Sequence, residues 1–298
     1  MRLLIALAIA AAGWRRLAAL VVTFALFGVT GALAADYTGP LVDAHSHVPN
    51  ATAIDAYVAA MKRHNVKKVV LLGVGGVQKQ DAAWLAAAAK KYPDRVVAGA
   101  PLPDPDDAGA AARLDSELDK TKAPVVGEVH VRQVSRKIDR DPGAAAFGKI
   151  LDVCARRGVP VVVHDELNDQ ATGALERALT AHPKATIILA HAGEAPAAKL
   201  EGLLARHPNL LVDLSGMHFQ RTPALAPENG PIDPGYKALI EKMPDRFLMG
   251  IDVWAARLFE PAMLDRLLTW ARRVLGQLPP DVAERVAWKN ATAVFKLE

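Results

Sequence analysis

The segment Asp43-Ala-His45-Ser-His47 sets two imidazoles two residues apart, and Glu128, His164, His191 and Asp252 follow at wide intervals. Imidazole and carboxylate are the donors that hold zinc and related divalent ions. If His45 and His47 lie on a strand, they project to one side, because strand side chains alternate with a period of two. Each later candidate ends an apolar, β-branched run: Val-Val-Gly-Glu128, Val-Val-Val-His164, Ile-Ile-Leu-Ala-His191 and Phe-Leu-Met-Gly-Ile-Asp252. Burying so many titratable groups among Val, Ile and Leu is costly unless they pair or coordinate. The pattern predicts a site for one or two divalent ions, zinc above the others, assembled from strand ends.

The spacing then dictates what must carry these residues. From His45 the steps are 83, 36, 27 and 61 residues. A strand–helix unit of a barrel takes about 30 residues, so the steps read as three units, one, one and two. That places the candidates on the first, fourth, fifth, sixth and eighth strands. Eight apolar runs are available for this, at 41–45, 67–74, 95–102, 124–131, 160–164, 185–191, 209–213 and 246–252. Most are continuous rather than alternating, as parallel strands covered by helices are. Segments of helical period, including 51–63, 81–92, 144–157 and 197–206, lie between them, and several end in Gly or Pro. The expected fold is α/β, a single-domain (β/α)8 TIM barrel over residues 36–298. Two connections, 132–142 and 216–234, are longer than their helices require. They leave the strand ends where barrel enzymes hold substrate.

Residues 1–35 stand apart as a signal segment. They hold Arg2, Arg15 and Arg16 without an acidic residue, then an apolar or small run to Ala35 that closes on Ala32-Leu33-Ala34. Cleavage there predicts a periplasmic or secreted protein with no stable membrane association. The alternative is a retained anchor, since this run of 19 apolar or small residues is long enough to span a bilayer. Without the three leader arginines, the 36 basic and 32 acidic residues become 33 and 32. The near-neutral mature charge speaks against a nucleic-acid partner. A small-molecule substrate, including an anionic one, is expected, and a homo-oligomer is compatible with the chain. The lone Cys154 forms no intramolecular disulfide and falls in an amphipathic pattern, where burial is the expected role.

With these residues in view, the chain resembles the amidohydrolase superfamily, in particular its amidohydrolase 2 branch. Asp43-Ala-His45-Ser-His47, Leu-Ala-His191-Ala-Gly, Gly-Ile-Asp252-Val-Trp and the closing Asn290-Ala-Thr-Ala-Val-Phe295 carry the resemblance. It implies that His45 and His47 bind a first metal and that Asp252 touches metal and handles protons. It further implies that His164 and His191 serve a second ion or, in single-metal members, give one ligand and one catalytic partner. Many two-metal members carry a modified lysine on the fourth strand, where this chain reads Val-Gly-Glu128-Val-His130. Glu128 is favoured as ligand because a carboxylate adds negative charge, while His130, on the same strand face, is its rival.

Other residues keep two readings. Glu166 shares the face of His164 and is either a substrate contact or a solvated carboxylate. Asp213 either orients a ligand histidine or caps a strand end. His218, in the long 216–234 connection, is the best further candidate for proton transfer, alongside Asp252 as catalytic residue. Arg132, Arg136, Lys137 and Arg140 read as a solvated loop or as a grip for a substrate carboxylate. His64, His182 and His207 fall at helix ends, where a cation complements the helix C-terminus. The leading expectation is an exported metal-dependent hydrolase acting on an ester, lactone, amide or related small-molecule bond. A decarboxylase or hydratase of a small carboxylic acid is the alternative, and a non-catalytic metal- or ligand-binding barrel comes after it.

Overall fold

The β-branched runs form strands β1 (Leu41–Ser46), β2 (Val66–Leu71), β3 (Val96–Ala98), β4 (Val126–Gln133), β5 (Ile138–Asp139), β6 (Val161–Asp165), β7 (Ile187–Leu189), β8 (Leu210–Asp213) and β9 (Phe247–Leu248). These come from a computed structural model, which describes residues 35–74, 80–102 and 104–297. All but the last residue of the expected leader lie outside the described residues. Residues 34–298 cluster as one compact unit. Among the described residues no helix is long and apolar enough to cross a membrane.

Leaving aside β5, each strand is followed by a helix: α1 (Ile54–Arg63), α2 (Asp81–Lys91), α3 (Ala110–Thr121), α4 (Ala145–Arg157), α5 (Asp169–Ala181), α6 (Ala197–Arg206), α7 (Pro234–Lys242) and α8 (Pro261–Gly276). Local sequence sets several of their ends. The Asn168 side chain accepts from Ala171 N to start α5, and Asp233 accepts from Tyr236 N with Pro234 opening α7. Gly158 ends α4 in the left-handed conformation. Cys154 is fully buried in α4, as a packing residue. His64, His182 and His207 stand at the C-terminal ends of α1, α5 and α6, each beside a carboxylate of Asp265, Asp152 or Glu176.

Parallel pairing runs β1–β2–β3 and β4–β6–β7–β8–β9, for example Val161 opposite Ile187 and Ile187 opposite Leu210. Backbone bonds complete the circuit. Ala100 N donates to Val125 O across the β3–β4 gap, and Ala44 N donates to Met249 O across β9–β1. The eight parallel strands are thus joined in a ring, with helices outside it. A small cluster inside joins Val42, Val70, Val125, Val162, Ile188 and Leu248, one from each of several strands, with Phe295. Such side chains can meet only across the barrel interior. The closing segment bearing Phe295 includes α9 (Pro280–Glu284) and α10 (Asn290–Val294). It is fastened by Asn290 Nδ2, which donates to Pro244 O and Phe247 O at 2.8 Å.

The interior face does not follow simple alternation. Val125, just before β4, faces inward and Val126 joins the outer core, yet Glu128 again faces inward and Val129 outward. The β4–β6 register shifts between Val126 and Val129, and the β1–β2 register shifts between Asp43 and Ser46. Each irregularity re-aims the residues after it, a common use of bulges beside active sites. Gly127 makes the β4 shift feasible. Its φ is +133°, and a Cβ there would stand 2.7 Å from Val162 O.

Candidate metal centre

His45, His47, Glu128, His164, His191 and Asp252 converge at the carboxyl ends of the strands, and each is nearly inaccessible. Their outer atoms are tied to protein first. His45 Nδ1 lies 2.9 Å from Asp213 Oδ2, His47 Nδ1 2.8 Å from Leu72 O, and His191 Nδ1 2.9 Å from Ser215 O. An ionised carboxylate or a carbonyl only accepts, so in all three rings Nδ1 carries the proton. Each Nε2 then presents a lone pair to the interior, the tautomer that a metal ligand needs.

Those lone pairs face other acceptors. His45 Nε2 and His47 Nε2 are 3.2 Å apart, and His191 Nε2 is 3.1 Å from Glu128 Oε1. With no hydrogen between them such pairs repel, unless a cation or an added proton sits among them. Two donors at about 2.0–2.1 Å from one tetrahedral zinc stand about 3.3 Å apart. The spacing fits. Glu128 Oε2 lies 3.8 Å from His45 Nε2 and 3.6 Å from His47 Nε2, while Oε1 lies 2.9 Å from His164 Nδ1. One carboxylate therefore faces His45 and His47 with one oxygen, and His164 and His191 with the other. Asp252 Oδ1 is 3.4 Å from His47 Nε2, and Asp252 also groups with His45 and His191 within ligand reach.

The electrostatics tell the same story. Burial alone would raise the Glu128 carboxyl, but the imidazoles of His45, His164 and His130 hold it well below the usual range. Burial likewise opposes an ionised Asp252, and His191 and His47 reverse this and hold its carboxyl low. His45 resists charge through burial, yet the carboxylates of Asp213 and Glu128 raise its pKa well above that of a free imidazole. Positive charge is wanted here.

The sequence profile of the family described as amidohydrolase matches residues 42–297. The chain belongs to the amidohydrolase family. It is similar in fold to 2,6-dihydroxybenzoate decarboxylase from Rhizobium, at 18% identity and TM-score 0.60, over 88% of this chain and 99% of that one. It is also similar to a dihydroxybenzoic acid decarboxylase from Polaromonas with bound manganese, at 17% identity and TM-score 0.60, over 88% and 97%. A third is 4-oxalomesaconate hydratase from Rhodopseudomonas palustris, at 13% identity and TM-score 0.59, over 86% and 95%. No curated protein matches the chain by sequence.

Other amidohydrolase site candidates take distinct places. His130 lines the same cavity as Glu128, with Nε2 3.4 Å from Glu128 Oε2 and Nδ1 unpartnered, so the two rivals stand side by side. Glu166 also lines the cavity, 3.6 Å from His164 Nε2. His218 is buried behind the wall rather than on the cavity lining. Its Nδ1 accepts from Gln220 N at 3.3 Å, and burial pushes its pKa down to about 4. The ring is therefore neutral near pH 7, with its proton on an unpartnered Nε2.

Two residues near the centre went unread or half-read in the sequence. Asp213 is a hub: Oδ2 takes His45 Nδ1, and Oδ1 takes His191 N, Ser215 N and the Ser215 hydroxyl. Ser215 passes the hold on to His191 Nδ1 through its carbonyl and its Oγ. The Leu-Val-Asp-Leu-Ser spacing was the available signal.

Proposed function

We propose that the protein is an exported metal-dependent hydrolase of small-molecule esters, lactones, amides or related bonds, in which Glu128 would serve the ligand sets of two divalent ions. The observation that carries the reading is the division of the Glu128 oxygens between two sets of imidazoles. A shared carboxylate offsets charge for two neighbouring cations. Bound ions would polarise a substrate oxygen and acidify water.

The chain's own groups do the rest. His45, His47 and Glu128 would hold a first ion and Glu128, His164 and His191 a second, with Asp252 in ligand reach of His45 and His191. Asp252, kept ionised by its imidazole neighbours, accepts the proton of the attacking water and returns it to the leaving group. His218, as a neutral donor close to Asp252, assists that transfer. The substrate fits a cavity of about 530 Å³ that opens at the strand ends.

The decarboxylase or hydratase reading draws support from the fold relatives and from Arg136 and Arg221, which line the cavity. Loss of CO₂ consumes no water, whereas hydration and hydrolysis both do, so turnover on each substrate class separates the three. The deciding experiment counts metal and turnover together. Native protein should carry up to two equivalents of a divalent transition metal by elemental analysis, and cleave members of an ester and lactone panel. Glu128→Gln should lower occupancy toward one ion, because a neutral amide offsets no charge. Unchanged stoichiometry in that variant, or release of CO₂ from a hydroxybenzoate panel without ester or lactone cleavage, would overturn the proposal.

A further inference from the structure

The mouth of the cavity carries features that the metal chemistry does not use. β4 and β5 form a hairpin, with Arg132 opposite Asp139 and Gln133 opposite Ile138. Its tip is a 3-10 turn, Val134–Arg136. The tip is held in place: Val134 N donates to Glu166 Oε2 at 2.9 Å, and Arg132 Nη1 donates to Glu166 O at 2.5 Å.

Three arginines rise from this hairpin, and two are engaged. Arg132 binds Glu166 O, while Arg140 donates to His130 O at 2.8 Å and to Asp106 at 2.8 Å. Arg136 lines the cavity with no hydrogen bond or ion pair to any described residue, and its Nη1 is buried without an acceptor. A buried guanidinium nitrogen without a partner carries a desolvation cost that an arriving acceptor removes. A carboxylate matches its fork in two parallel bonds.

Beside this charge the surface is apolar. Val134 is 59% exposed and Trp254 38%, the exposed large hydrophobics among the described residues, and both line the same cavity. An unpaired cation that shares its cavity with two solvent-facing apolar side chains selects a ligand with an acidic group on an apolar body.

We propose that Arg136, Val134 and Trp254 form a carboxylate subsite, so that the substrate is a small apolar carboxylic acid that also bears the hydrolysable bond. Arg136 grips the carboxylate at the mouth and leaves the bond to the metal centre. The second half of this statement rests on the hydrolase reading, whereas the subsite is tested by binding alone.

The probes are 3-phenylpropionate and 3-phenylpropionamide, titrated calorimetrically into the metal-loaded full chain. Wild type should prefer the carboxylate, and Arg136→Gln should lose roughly 10–100-fold of that preference in Kd. Arg136→Lys should keep part of it, since charge survives without the fork. Metal content should be unchanged in both variants and thermal unfolding should not fall, because Arg136 holds no described residue. An equal preference in wild type and Arg136→Gln would place the carboxylate on the metal instead and overturn the subsite, as would a wild type indifferent to the two probes. Arg136-dependent binding in a protein that cleaves no ester, lactone or amide would keep the subsite and overturn only the hydrolase reading.

Discussion

Asp213→Asn tests how the ligand imidazoles are oriented. Oδ1 receives donors from His191 N at 3.1 Å, from Ser215 N at 3.0 Å and from the Ser215 hydroxyl, whereas Oδ2 faces only His45 Nδ1. An asparagine must keep its carbonyl toward the three donors, which places its NH₂ against His45 Nδ1. That nitrogen can then accept only if the ring moves its proton to Nε2, the atom that faces His47 Nε2 at 3.2 Å. The first ion would meet an N–H where it needs a lone pair. Restoring the lone pair sets two donors face to face in a buried site, at a cost of about 1–3 kcal/mol. Affinity at the first site should fall by roughly 10–100-fold, or about 1.4–2.7 kcal/mol. Competition against a chromophoric chelator reads this directly, and the fold should persist because most of the hub's bonds remain. Wild-type affinity in Asp213→Asn would refute the tautomer argument.

Asp252→Asn should retain much of its metal by elemental analysis while losing roughly 10²–10⁴-fold in kcat, and a wild-type kcat across the pH range would remove Asp252 from proton transfer. Gly216→Ala should weaken metal binding and lower Tm, by about 1–3 kcal/mol in a denaturant titration. A Cβ at its φ of +64° would stand 2.7 Å from His191 Nδ1 and 2.9 Å from Asp252 Oδ2. Asp165 is buried with neither carboxylate oxygen hydrogen-bonded, and burial pushes its pKa up to about 7. Its stability contribution is present below the unfolded carboxyl's pKa of about 3.9 and is lost as pH rises through the folded value. Asp165→Asn should therefore overtake wild type in Tm by several degrees between about pH 5 and pH 8 in chelated protein. Parallel Tm–pH curves would show that Asp165 carries no such penalty.

The clustered residues from Glu128 to Asp252 were legible because each ends a β-branched run, and runs of that kind have few places to go except a buried parallel strand. The helix at 197–206 was read to the residue, since its apolar face repeats cleanly. The strand expected at 185–191 is confined to Ile187–Leu189. His191, Ala192, Gly193 and Glu194 all turn to positive φ, which nothing in Ala-His-Ala-Gly-Glu announces for its non-glycine members. Asp252 does the same at φ 58°, and β9 shrinks to Phe247–Leu248. The bulges that re-aim Glu128 and His47 depend on pairing with neighbouring strands, and so does the two-residue β5 that turns residues 132–142 into a hairpin. Neither has a local period to read. Asp213 was ambiguous for a chemical reason: a strand-end cap and an orienter of histidine present the same carboxylate, and only the fold shows that it does both.

The hub and its neighbours have a consequence for how the protein acquires its ions. His45, His47 and His191 are locked by Asp213, Leu72 and Ser215, so the donors stand in position through protein contacts alone. Folding should then not require metal, unlike in domains that fold only around their metal, and an unchanged far-UV circular dichroism spectrum in chelated protein would check this. A ready-made nitrogen and oxygen pocket ranks ions by intrinsic affinity, with copper ahead of zinc and zinc ahead of manganese. Selectivity then rests on site geometry and on supply. The compartment in which the chain folds, and the ions free in it at that moment, would help decide which metal is found in the purified protein.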